Sequence, residues 1–283
     1  PYVTELGDRA TAASRLNLAQ SFNGLGCILA PVIVGGFLFA GDGSQSVALP
    51  YTIMGIIVLL VALVFCRVKL PEIKTAPDQA NVSTAEAQSG TMHTIRRLWS
   101  MQGFKLGVLA LFCYEIAEIS INSLFINYVT ADGWMDKMTA SAVLSFGALG
   151  LFMVARVIGS WIMSRVAAEK ALTVCAMLTV AGTLLVVLDA GILSKAGLFA
   201  CYAFEAIMFP TIFAITISGV GAGPTTKIAS SFLMMTPLGG AVGTLLMGLV
   251  ADASSMSTSF IVPCIGYTVV LLFALRALKH RNH

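Results

Sequence analysis

Residues 105–130 read KLGVLALFCYEIAEISINSLFINYVT. About 20 apolar residues cross the hydrocarbon core of a bilayer as a helix, and this run is long enough. Yet its middle carries Glu115, Glu118 and Asn122. Their spacing of i, i+3 and i+7 places all three on one helix face. Seven more segments are long and apolar enough to span: 15–40, 49–68, 139–163, 170–190, 196–219, 228–251 and 258–277. Composition supports the same reading. Charged residues make up 11% of the 283 residues, hydrophobic residues 57%, and mean hydropathy is +0.88. Ordinary globular domains are roughly 25% charged. A water-soluble enzyme is therefore excluded, and the expected fold class is an all-α polytopic membrane protein. The net charge of +3 is too small to suggest nucleic-acid binding.

Breaker signals separate the spans: Gly41-Asp42-Gly43, Asp132-Gly133, Gly221-Ala222-Gly223-Pro224, and Asp252 before a Ser-rich turn. Most connections are short, so consecutive helices run antiparallel. The exception is 70–104, rich in Ala, Ser, Thr and Gln, which reads as a flexible or surface-lying cytoplasmic linker. It divides the chain into 1–69, the end of a first bundle, and 105–283, a six-helix bundle with a short cytoplasmic tail. With the N-terminal stretch assigned to the cytoplasm, the cytoplasmic side and its adjoining helix ends collect fifteen Lys and Arg, Arg156 among them. Only Lys137 and Lys195 fall outside, a strong positive-inside bias. Trp99 and Trp134 fall at the expected water–lipid boundaries. The chain opens on Pro1 without a signal-peptide pattern, which reads as a fragment lacking upstream helices.

Cys27, Cys66, Cys113, Cys175, Cys201 and Cys264 lie singly in apolar runs, so neither a disulfide framework nor a zinc site is expected. His93, His280 and His283 lie in polar segments. No metal or cofactor is expected, and no His-based triad or HExxH motif points to an enzyme.

Mid-span charge is the informative signal. A carboxylate at a helix centre costs about 2.5–3.5 kcal/mol on the lenient insertion scale. Glu115, Glu118 and Glu205 together would cost roughly 8–10 kcal/mol, so they must face a protein interior or a wet cavity. Two close carboxyls on one face resist double ionisation, which makes at least one a candidate proton carrier. A buried Glu bonded to a neighbouring helix and never titrating is the alternative. A second polar stripe, Asn17, Gln20, Asn23 and Cys27, runs along the first span. Its amides suit the hydroxyl groups of a sugar, although Asn and Gln also join helices to one another. Phe209-Pro210-Thr211 interrupts the sixth span, and Thr236-Pro237-Leu238-Gly239-Gly240 the seventh. Proline removes a backbone hydrogen bond and frees carbonyls that need new partners. Gly239 and Gly243 form a GxxxG face for close helix packing. Interrupted helices beside polar groups point toward a midplane binding site, and simple bends in a bundle are the bland alternative. In the last six spans the Glu-bearing helices are each first of a triple, as an inverted repeat would have them.

Several stretches together carry a resemblance. They are Pro1-Tyr-Val-Thr-Glu-Leu-Gly7, Arg15-Leu-Asn-Leu-Ala-Gln-Ser-Phe-Asn23, Phe112-Cys-Tyr114 with Ala117-Glu118, and Ala155-Arg-Val-Ile-Gly159 through Ser164-Arg165. Phe209-Pro-Thr-Ile-Phe213, Ser230-Ser-Phe232 with Gly239-Gly240, and Gly248-Leu-Val-Ala-Asp252 complete the set. Over essentially the whole chain except 70–104, the sequence resembles the fucose–galactose–glucose:proton symporter branch of the major facilitator superfamily. The resemblance implies a major facilitator-type bundle in which the eight spans are helices 5 to 12 of twelve. It places Ala155 to Arg165 in the basic loop between helices 8 and 9. It further implies sugar:proton symport by alternating access, with Gln20, Asn23, Glu118, Asn122 and Phe209 at the sugar and Glu118, Glu115 and Glu205 as proton-coupling candidates. Phe209 stands where the branch would have Tyr, and Glu115 and Glu205 where relatives are usually neutral. The main coupling carboxylates of the branch belong to helices 1 and 4, outside this chain. The partners implied are a monosaccharide, a proton and the lipid bilayer, for a monomer in a bacterial inner membrane. The alternatives are transport or export of another small polar solute, and a transport-inactive sensor or fragment.

Overall fold

The computed structural model describes a few helical positions between 26 and 34, and residues 48–68, 84–131, 133–163, 165–220 and 224–281. Every regular element among the described residues is a helix. In chain order they are α1 (Ala48–Arg67), α2 (Thr84–Ser100) and α3 (Gln102–Ala131). Next come α4 (Lys137–Met163) and α5 (Ala168–Val187). The Ile192–Ser218 span is built of α6 (Ile192–Glu205) and α7 (Met208–Ser218). The remaining two spans are α8 (Pro224–Leu233) with α9 (Leu238–Ala253), and α10 (Met256–Ser259) with α11 (Ile261–Arg281). Among the described residues, six helical segments are long and apolar enough to cross a membrane: those beginning at Gln102, Lys137, Ala168, Ile192, Thr225 and Met256. The expected spans from 105 to 277 coincide with these to within a few residues. The span expected at 15–40 lies mostly outside the described residues.

The chain divides into two compact units, residues 1–83 with 135–147, and residues 84–134 with 148–283. In the first, α1 exposes apolar side chains all round, Tyr51, Val58, Leu63 and Phe65 among them. A helix apolar on every side belongs in a membrane or a large core.

In the second unit α3 is the central post, packed against α9 and α11, while α5 lies between α6 and α11. Small residues set the close approaches. A Cβ on Gly239 or Gly243 of α9 would fall against the main-chain carbonyls of Phe112 or Ile116 on α3. The expected GxxxG face is thus in use. Gly182 of α5 and Gly197 of α6 face each other the same way, a Cβ on either lying 2.8 or 2.6 Å from the other's carbonyl oxygen. Close backbone contact of this kind replaces the hydrophobic drive that lipid removes. Tyr114, Tyr202, Tyr267, Phe104, Phe125 and Phe260 are the bulkiest fully buried side chains. Val154, Val157, Ile158 and Trp161 of α4, with Leu245 and Leu249 of α9, are exposed. An apolar exterior around a core containing hydroxyls and carboxyls is what a lipid solvent selects.

Hydroxyls in the spans mostly turn back on their own helix. Ser120, Thr179, Thr183, Thr211, Thr216 and Thr268 donate to carbonyls three or four residues earlier, at 2.6 to 3.2 Å. That pattern satisfies each hydroxyl locally.

One expectation is refined and one corrected. Residues 70–104 read as a linker, flexible or lying on the surface, and within them 84–100 form a helix, largely exposed over 90–100 and anchored by its end. Leu98 is fully buried, and Trp99 meets Phe104 and Phe232 edge-on at 5.9 and 5.6 Å. The basic loop expected from Ala155 to Arg165 is absent over most of its length, because Ala155–Gly159 lies inside α4. Apolar neighbours on both sides keep the helix going through Arg156.

Candidate functional site

The site grows out of the break between α6 and α7. Pro210 has no N–H, so the carbonyl four residues before it, that of Ala206, loses its helical donor. α6 ends at Glu205 and α7 begins at Met208. The freed carbonyl is served from another helix, where Arg156 Nε of α4 donates to Ala206 O at 3.0 Å. The adjacent carbonyl of Glu205 receives a long bond, 3.4 Å, from the Tyr114 hydroxyl of α3. Thr211 closes the break from inside, its hydroxyl donating to Ile207 O at 2.6 Å.

Side chains gather around this break. Glu205 has no exposed surface, and the Tyr267 hydroxyl of α11 donates to its Oε2. Its Oε1 has no hydrogen-bond partner among the described residues, nor has the buried Tyr202 hydroxyl one turn back. Glu118 of α3 is only half-buried and stands one turn along from Tyr114, whose hydroxyl acts on its carboxyl. The Arg156 guanidinium is close enough to act electrostatically on Glu118, on Glu205 and on Tyr114. Arg156 also covers the Phe152 ring at 4.6 Å.

Of the residues picked out in the sequence, Glu118, Glu205 and Phe209 therefore come together. The Phe209 ring lies 6.3 Å from Tyr114 and stacks on Phe213 at 6.4 Å. Asn122 sits one turn beyond Glu118, half-buried, with Oδ1 enclosed and no partner among the described residues. Glu115 is 5% exposed and turns toward the α9 seam, its Cβ 3.4 Å from where a Gly239 Cβ would stand. It acts on Glu118, yet it belongs to a packing interface more than to the Tyr114 cluster. The shared face of Glu115 and Glu118 thus opens onto two neighbours, because a step of three residues turns about 300°. Gln20 and Asn23 lie outside the described residues.

Arg156 is the principal addition and a correction. The charge count grouped it with cytoplasmic helix ends, whereas it lies inside α4, seven residues before Met163 and bonded to Ala206. At 1.5 Å per residue that is about 10 Å from the helix end. The available signal was an arginine with apolar residues on either side, Val154-Ala155 and Val157-Ile158, where a solvated helix end would be polar. Tyr114, Tyr202 and Tyr267 were also missed as site residues.

Residues 2–232 match the family model described as the Major Facilitator Superfamily. The chain belongs to this superfamily. Within it, the chain is 31% identical over 300 residues to the L-fucose-proton symporter of Escherichia coli (strain K12), covering 97% of this chain and 66% of the symporter. It is also 31% identical over 286 residues to the glucose/galactose transporter of Brucella abortus biovar 1 (strain 9-941), with the same coverage. The crystal structure of the superfamily transporter FucP in the outward conformation superposes with a TM-score of 0.72 at 31% identity, over 98% of this chain and 71% of that one. The chain thus spans 66% of the length of these curated relatives. As a superfamily member with apolar spans and lipid-facing exteriors, it is a multi-pass membrane protein.

Proposed function

We propose that this chain is the larger part of a secondary transporter carrying a neutral monosaccharide of the fucose, glucose or galactose type together with a proton. The supporting observation is the union of half-exposed Glu118, buried Glu205 and Arg156 at a proline-broken span, in a chain similar to a fucose–proton symporter and a glucose/galactose transporter. Ionisable side chains inside a span are costly and mark transport pathways by default. Broken helices at mid-membrane are where solute sites form.

In this reading the chain supplies helices 5 to 12 of twelve. Residues 1–69 close the first bundle, 70–104 cross the cytoplasmic face and 105–283 make the second. The protein is a monomer in a bacterial inner membrane, and no covalent chemistry is needed. The outward-open transporter takes a proton on a cavity carboxyl. The sugar then binds through Gln20, Asn23 and Glu118, with Asn122 at the cavity wall and Phe209 as an apolar platform. Rocking of the two bundles releases both inward. A charge moving down 100 mV supplies about 2.3 kcal/mol, enough for roughly a fiftyfold sugar gradient.

The deciding measurement is uptake of radiolabelled hexoses and fucose by cells or proteoliposomes carrying the full-length transporter, with and without an inward pH gradient. Gradient-dependent accumulation abolished by a protonophore is expected. Binding without counterflow would identify a sensor, and indifference to every sugar and to pH would overturn the symporter reading.

A further inference from the structure

The second unit holds two carboxyls, Glu118 and Glu205, within electrostatic reach of one guanidinium, that of Arg156, whose Nε is bonded to the carbonyl next to Glu205. With both ionised the trio carries two negative charges and one positive, a net −1 inside a membrane protein. Bringing a single unbalanced charge out of water is expensive, whereas one carboxylate paired with one guanidinium is much less so. One proton restores neutrality, and the geometry gives that proton two homes. Glu118 is half-buried on α3, and Glu205 is fully buried at the end of α6.

The other groups facing the trio leave this account unchanged. Tyr114 on α3, Tyr202 and Cys201 on α6, and Tyr267 on α11 bring hydroxyls and a thiol, which add no formal charge. Glu115 reaches Glu118 from the α9 side and adds only repulsion. Two fully buried oxygens point to where the proton is needed: Glu205 Oε1 and the Tyr202 hydroxyl, each without a partner among the described residues. A buried carboxylate with an unpartnered oxygen bears the full desolvation cost of its charge, and a proton removes that cost.

We propose that Glu118 and Glu205 hold one proton between them across Arg156, and that Arg156 reports which of the two is charged to the broken backbone at Ala206. With Glu205 protonated, the guanidinium pairs with Glu118 of α3. With Glu118 protonated, it pairs with Glu205 of α6. Only O–H bonds form or break, and the proton count is one in either state. Because Nε of the same guanidinium holds the carbonyl that Pro210 leaves free, a shift of charge pulls on the joint between α6 and α7. Arg156 is thereby a positioning residue. This deepens the symporter reading of the same site and rests on it for the link to transport, while the shared proton itself does not depend on any solute.

The test uses infrared spectroscopy of the purified full-length transporter, following the C=O stretch of protonated carboxylic acids and its deuterium shift. Arg156→Gln should raise this band by about one carboxyl, since both glutamates then need a proton. Glu205→Gln, which keeps a partner for Tyr267, should remove about one carboxyl as Glu118 ionises against Arg156. In sugar counterflow, Arg156→Gln should lower the rate at least tenfold, and adding Glu205→Gln should raise it at least threefold above Arg156→Gln alone, short of wild type because the Ala206 carbonyl still lacks its donor. Glu205→Gln should also displace the pH profile of counterflow. An unchanged carboxyl band in both single variants, or a double variant no better than Arg156→Gln alone, would overturn the proposal. If Arg156→Gln fails to fold, the Glu205→Gln band decides alone. The band requires no sugar, so a transporter that moves no hexose would sink the symporter reading and leave this one standing.

Discussion

Two spans of this molecule are broken by proline, and they are mended in different ways. At Pro210 the freed carbonyl of Ala206 is taken by an arginine from α4 and its neighbour by a tyrosine from α3, with a buried glutamate at the break. At Pro237 the carbonyl four residues back, Leu233 O, is taken by Thr236 of the same segment, through its hydroxyl at 2.7 Å and its amide at 3.3 Å. The residues that follow, Gly239, Gly240 and Gly243, press against α3 with no room for side chains. The same breaker thus builds a charged junction shared by three helices in one span and a self-contained joint in the other. What distinguishes a site from a bend is where the replacement hydrogen bonds come from.

The comparison breaks most easily at Arg156. Arg156→Met strips the Ala206 carbonyl of its charged donor and should cost roughly 3 kcal/mol, the upper end for losing a hydrogen bond to a charged group. A detergent melting curve of the full-length protein should show the loss, together with failure of transport. A melt within a degree of wild type would mean the Pro210 junction is as self-contained as the other.

Next comes the glycine seam. Gly243→Leu meets main-chain atoms of Ile116 and should cost about 2–3 kcal/mol by overpacking. Gly240→Ala adds a single methyl, which meets the Ile119 side chain including its fixed Cβ at 2.8 Å, and should cost about 1 kcal/mol, the low end for overpacking. Equal losses in unfolding titrations would show that the seam is not set by backbone contact.

Thr236→Val removes the local cap at Pro237 and should cost about 1 kcal/mol, with counterflow close to wild type. A transport defect as severe as that of the Arg156 variants would erase the distinction between the two breaks.

The smallest effect lies outside the membrane. The Asp136 side chain caps α4, accepting bonds from the Thr139 hydroxyl at 2.5 Å and from the amides of Met138 and Thr139 at 3.0 and 3.1 Å. Those bonds, the Thr139 hydroxyl first, hold its carboxyl below the usual aspartate range. A depressed carboxyl stabilises the folded state above its unfolded value of about 4, and the contribution fades as pH falls through the lower folded value. Hydrogen exchange at Met138 and Thr139 should therefore quicken only in strong acid, and Asp136→Asn should flatten that dependence.

Much of this was legible in the sequence, for reasons that differ by element. Long apolar runs such as 105–130 fix their own helicity because lipid offers the backbone no other partners. Glu115, Glu118 and Glu205 stood out because charge in such runs is too costly to be incidental. Arg156 did not, since a long basic side chain near a helix end usually reaches the interface, and only the fold shows it turned inward to Ala206. The pairing of Tyr267 with Glu205 spans 62 residues of sequence, and tyrosine in an apolar helix carries no local signature. The helix at 84–100 escaped notice for the opposite reason. Its sequence is too polar to look like a span, and it is held at its end by Leu98 and Trp99.

The threonines and serines that bond back to their own helices carry a lesson for engineering. Because Thr179, Thr183 and Thr216 are already engaged at home, they have little left to offer a passing solute. Exchanging them for valine or alanine would alter the curvature of individual helices and leave the chemical taste of the cavity alone. A library meant to redirect specificity would do better to spare them and vary the half-exposed line from Glu118 to Asn122, together with Phe209.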